Sequence, residues 1–125
     1  MTIDRATVAA ATVLHNPGKR SAQLVWPEAA PDARATITRV TMDPGSVSSR
    51  HRHPRSEQIW IVEAGEALLL SETDEVQPMR AGDIIRTPPG DVHGIENTGS
   101  VPFVYLTVTT PPEDMRSFYV DRNDR

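Results

Sequence analysis

GSVSSRHRHPRSEQIWIVEAG, residues Gly45 to Gly65, sets His51 and His53 two positions apart in a β-favouring run. Alternate side chains of a strand share a face, so both imidazoles can point the same way. A second segment punctuated by Gly and Pro, GDIIRTPPGDVHGIEN from Gly82 to Asn97, carries His93. Three of the four histidines thus fall in two compact clusters. Neutral imidazole is a good ligand for Mn, Fe, Ni, Zn or Cu, and positions i and i+2 of one strand can chelate a single ion. The expectation is a metal site inside a small β structure. His15 has no such context and reads as a surface residue.

On either side of these segments, prolines and glycines recur every ten residues or so, with short β-branched runs between them. That rhythm belongs to an all-β sandwich or barrel rather than to helical or alternating α/β structure. Strands are expected at Ala22 to Trp26, Ala35 to Met42, Val76 to Met79, Ile84 to Thr87, His93 to Glu96 and Phe103 to Thr109. Gln58 to Val62 and Glu66 to Leu70 are expected to form a hairpin across Gly65. Residues 1–15 read as a first strand or N-terminal arm, Glu113 to Tyr119 as a short C-terminal helix, and 120–125 as a flexible tail. The whole chain, 1–125, reads as one domain.

Composition narrows the function classes. A length of 125 residues is enough to bury a core. The net charge of −4 argues against a nucleic-acid or acidic-membrane partner. No cysteine is present, which removes thiolate ligands, disulfides and a cysteine nucleophile, and fits a reducing, cytoplasmic setting. No apolar run approaches the ~20 residues of a membrane span. Val8 to Leu14 is apolar but too short, with too little flanking positive charge, to read as a secretory signal.

The two segments resemble the motifs of the cupin superfamily, G-x5-H-x-H-x3/4-E-x6-G and G-x5-P-x-G-x2-H-x3-N. The second is matched at Gly82, Pro88, Gly90, His93 and Asn97; the first at Gly45, His51, His53 and Gly65, with a departure at the carboxylate. The resemblance implies a double-stranded β-helix (jelly-roll) barrel with a divalent transition metal inside. Glu57 follows His53 at the family's spacing but lies one residue too far from Gly65; counting back from Gly65 lands on Gln58. With Gln58 inward, Trp60 and Val62 follow it and both Glu57 and Glu63 stay solvated. With Glu57 inward, Glu63 is buried as well, an expensive placement for an unpaired carboxylate, although Ile59 and Ile61 gain burial. The balance favours His51, His53, Gln58 and His93, with Glu57 as the alternative fourth ligand. This set is similar to the three-histidine, one-glutamine branch of small cupins.

That branch includes ring-opening enzymes for unsaturated uronic acids, so the resemblance implies Lewis-acid chemistry of isomerase or lyase type on a small anionic or polyhydroxylated molecule. An oxygen-dependent dioxygenase or decarboxylase, and a non-catalytic binding module, are the competing classes. Trp60 and Phe103 are candidate pocket walls, Tyr105 a candidate proton donor, and Arg86 a candidate partner for a substrate carboxylate. Alternation turns Arg50 and Arg52 away from the histidine face. Cupin barrels commonly pair by exchanging N-terminal strands, so a homodimer using Ala6 to Leu14 is expected.

Overall fold

The computed structural model describes residues 3–123, whose strands are β1 (Val13–Asn16), β2 (Lys19–Val25), β3 (Thr36–Met42), β4 (Val47–His51), β5 (Glu57–Ala64), β6 (Glu66–Ser71), β7 (Val76–Arg80), β8 (Ile84–Thr87), β9 (His93–Glu96), β10 (Phe103–Thr110) and β11 (Asp121–Asn123). They form a seven-stranded sheet, in the order β11-β1-β2-β3-β10-β5-β8, and a four-stranded sheet, β4-β9-β6-β7. Every pairing is antiparallel. Two sheets face each other around one interior, the double-stranded β-helix that the motif resemblance implies.

Alternation decides what fills that interior. Along β10, Phe103, Tyr105, Thr107 and Thr109 are buried while their neighbours are half-exposed, and β3 repeats the pattern with Thr36, Thr38, Val40 and Met42. The apolar half of the interior is a cluster containing Met42, Trp60, Val62, Met79, Ile95 and Phe103. The other half, toward Gln58 and the histidines, adjoins a cavity whose lining mixes polar side chains with apolar and aromatic ones. One end of the barrel is therefore a packed core and the other a lined cavity.

Gly65 makes a sheet-switching corner, not the tip of a hairpin. β5 pairs with β10 and β8, whereas β6 pairs with β7 and β9, so the expected hairpin is replaced by a crossover between sheets. Gly65 has φ +80°, and a Cβ there would lie 2.3 Å from the Pro102 carbonyl oxygen. Only glycine meets both conditions without strain.

The C-terminal segment returns across the barrel. Met115–Phe118 forms a short 3₁₀ turn with Asp114 capping Arg116 N–H. Asn16 Nδ2 donates to the Phe118 carbonyl, and Val120 N–H to Asn16 Oδ1. Asp121–Asn123 then pairs with β1, where a flexible tail was expected; residues 124–125 lie outside the described range. Arg116 and Arg122 both reach Glu28 and lie against the Trp26 ring. At the other end, the 3₁₀ turn Val8–Ala10 is exposed, while Val13 and Leu14 of β1 are buried in the chain's own sheet.

Candidate metal centre

His51 closes β4 and lies opposite His93 of β9. Between Ser48↔Ile95 and His51↔His93 the register shifts, a bulge that turns the end of β4 just before His51. Gly94 makes the close pairing possible: a Cβ there would meet the Ser48 carbonyl oxygen at 2.7 Å. His53 sits two residues beyond β4, and its carbonyl accepts from Gly90 N–H at 2.9 Å, tying the two histidine segments together. The ring centroids of the three histidines lie 4.5–5.3 Å apart. One nitrogen from each ring falls within 4.8 Å of the others.

Each Nδ1 has its own acceptor. His51 Nδ1 donates to the Ser49 carbonyl at 2.7 Å, His93 Nδ1 to the Asp91 carbonyl at 3.2 Å, and His53 Nδ1 to Glu113 Oε2 at 2.9 Å. With Nδ1 as the donor, the lone pair of each neutral ring resides on Nε2. Nε2 of His53 and of His93 is buried with no hydrogen-bond partner. A buried polar atom of this kind is costly unless something binds it, and two at one point fit a metal ion. Burial lowers the pKa of His51 and pushes that of His93 down to about 4, where the other two histidines add to the effect. Both are thus held in the neutral, ligating form at physiological pH.

Gln58, Trp60 and Val62 face inward and are buried. Gln58 lines the histidine cavity; its Nε2 donates to Thr109 Oγ1, and its Oε1 accepts from the Trp60 indole N–H at 3.1 Å. These bonds orient the amide and leave its oxygen a second lone pair. Glu57 points the other way and accepts from Arg86 Nε at 2.6 Å. That contact takes both from the cavity, so Arg86, exposed on β8, is not brought to the site. Phe103 is fully buried in the apolar core, also away from the cavity, whereas Trp60 and Tyr105 form part of its wall. Burial drives the pKa of Tyr105 well above its ordinary value, so its phenol stays protonated and can donate a hydrogen bond but not act as a base.

The cavity measures about 280 Å³. Two contributors had no signal in the motifs. Glu113, sixty residues from His53, supplies a carboxylate behind a candidate ligand. Phe118 stands over the same group, 5.3 Å from the His53 ring and 5.9 Å from the His51 ring. Lys19 also lines the cavity, at the start of a strand that was expected to begin only at Ala22.

Three histidines and a glutamine gathered inside a double-stranded β-helix define the class: a cupin-type barrel with a candidate metal centre. The Cupin domain family profile matches residues 38–109, more than half of the chain, and the chain belongs to that family. It is 32% identical to the Oxalate-binding protein of Thermotoga maritima over 87 residues, covering 70% of this chain and 71% of the relative. The crystal structure of a predicted oxalate decarboxylase from Thermotoga maritima superposes with TM-score 0.67 at 30% identity, covering 74% of this chain and 80% of that one. A Cupin 2 conserved barrel domain protein from Salinispora arenicola gives TM-score 0.68 at 29% identity, with 88% and 89% covered.

Proposed function

We propose that this cupin holds one divalent transition metal ion through His51, His53 and His93 Nε2 and Gln58 Oε1, and acts on a small anionic or polyhydroxylated molecule in the adjoining cavity. The carrying observation is the pair of buried, unpartnered Nε2 atoms whose rings are fixed by bonds at Nδ1. A bound ion in this neutral ligand set would keep its full dipositive charge and supply Lewis acidity toward a substrate oxygen. The protein's own part is to orient and to exclude water. Glu113 fixes the His53 tautomer, Trp60 holds the Gln58 oxygen, and Phe118 covers the histidines. Tyr105, protonated throughout the physiological range, is the proposed proton donor. Isomerase, ring-opening or lyase chemistry, uronates included, suits such a site.

A second reading is favoured by the names of two relatives, an oxalate-binding protein and a predicted oxalate decarboxylase. In it, the barrel binds oxalate-like acids or performs oxygen-dependent chemistry on them. A cytoplasmic homodimer, with the exposed arm 3–10 available for contact, belongs to the same proposal. Elemental analysis of protein purified without a histidine tag, then substrate screening with and without air, separates these readings. Turnover of unsaturated uronates without oxygen supports the first; activity only in air, with a redox metal bound, supports the second. Gln58→Ala is expected to weaken metal binding by about tenfold or more, and Glu57→Ala by less than about twofold, measured by competition with a chelating dye. The reverse order would remove Gln58 from the ligand set.

A further inference from the structure

Lys19 is a cation turned into the barrel. On β2 it shares the inward face with buried Ser21 and Gln23, and across β3 it lies opposite buried Met42. Its ammonium donates to Ser48 Oγ at 3.0 Å and lies 5.3 Å from the centroid of the Tyr119 ring. Neither neighbour is an anion, and Lys19 forms no ion pair among the described residues. The next residue, Arg20, shows the usual alternative: it turns away and reaches Asp43.

The cavity wall has no compensating charge. Among the described residues no aspartate or glutamate lines it, although the chain carries 17 of them. Glu113 bonds to His53 at Nδ1, the nitrogen turned away from the shared Nε2 group. With neutral imidazoles, Lys19 is the single formal charge among the described residues of the lining. A half-buried cation without a partner is costly to hold, and desolvation lowers its pKa to about 8. Tyr119 keeps the ammonium over an aromatic face. The cation is placed and supported, but not neutralised.

We propose that Lys19 is the anion-binding post of this cavity, holding one carboxylate of a small dianionic substrate whose other end reaches the imidazole cluster. The inference rests on the cavity being the substrate site, and it narrows the substrate to dicarboxylates, or to carboxylates carrying a second anionic oxygen. Charge supports the choice: a neutral ligand set leaves a bound divalent ion uncompensated, and Lys19 adds a third positive charge. Size supports it as well, since about 280 Å³ is at the small end of ligand cavities.

Calorimetric titration of the metal-loaded protein with oxalate, malonate and succinate, and with neutral malonamide, tests the assignment. At least one dianion is expected to bind, and Lys19→Met to weaken it by about tenfold or more. Metal content and malonamide binding should stay unchanged, and Lys19→Arg should retain most of the dianion affinity. Lys19→Gln, checked for wild-type circular dichroism, replaces the methionine variant if that one does not fold. Failure of every dianion to bind, unaltered binding by Lys19→Met, or equal loss of malonate and malonamide would overturn the proposal. The same Lys19-dependent binding in metal-free protein would support the anion post while removing the metal from substrate binding.

Discussion

Lys19 couples the cavity to pH with a sign that the structure fixes. Its folded pKa, about 8, lies below the ordinary 10.5, so the folded chain sheds this proton at lower pH than the unfolded chain does. Between those values the unfolded state binds more protons, and this residue's contribution to stability rises with pH. Dianion binding runs the other way, because it needs the ammonium, and is expected to fall as pH rises through about 8. The groups facing Lys19 do not titrate there. Tyr119 is pushed up to about 12, and His51 and His93 are pushed down. Titrating malonate from pH 7 to 9 should show the loss in wild type, and a flat response in Lys19→Arg.

Glu113 is the other residue outside the motifs. Removing it in Glu113→Ala frees the His53 ring to turn and to change tautomer, with an expected loss of metal affinity of about 10–100-fold. Glu113→Gln, which can still accept through its amide oxygen, should recover part of it; equal losses would show that charge, not orientation, is what His53 requires. The histidines were legible in the sequence because turn residues at fixed offsets surround them, and Gln58 was legible through parity. Lys19 and Glu113 were not, since a lone charged residue reads as solvated until a strand's inward face is known.

At the scale of elements, strand positions followed well from Pro and Gly punctuation, but pairing did not. Two β runs joined by one glycine read as a hairpin, yet β5 and β6 enter different sheets. The discriminating fact is the close approach of Pro102 to Gly65, a contact with a segment 37 residues away. Gly65→Ala would combine a left-handed φ with a collision against backbone. It should destabilise the protein by about 2–4 kcal/mol in urea unfolding. Gly45→Ala shares the positive φ but meets nothing within 4 Å, so it should cost about 1–2 kcal/mol. Equal losses at the two glycines would place the strain in φ alone.

For the molecule as a whole, the all-β class was legible because regular turns between short β-branched runs leave a sandwich or barrel, and the jelly-roll followed from the resemblance of the two histidine motifs to those of the cupins. The return of the C-terminal segment was not. Its anchors, Glu28, Trp26 and Asn16, lie about ninety to a hundred residues upstream, and its charged composition resembles a solvated tail. The proposed homodimer predicts a sedimentation mass near twice 13.8 kDa. A single-chain mass would leave the exposed arm, residues 3–10, without that role.

The segment that carries Glu113 and Phe118 has a consequence for the order of events during biosynthesis. Translation delivers residues 51, 53, 58 and 93 before 113–119, so every proposed donor leaves the ribosome ahead of the chain that covers them. An ion captured by the nascent barrel would meet imidazoles not yet backed by a carboxylate or roofed by an aromatic ring. The choice among cellular metals would then fall to an open, weaker site, and the finished cover would govern how slowly that choice is reversed.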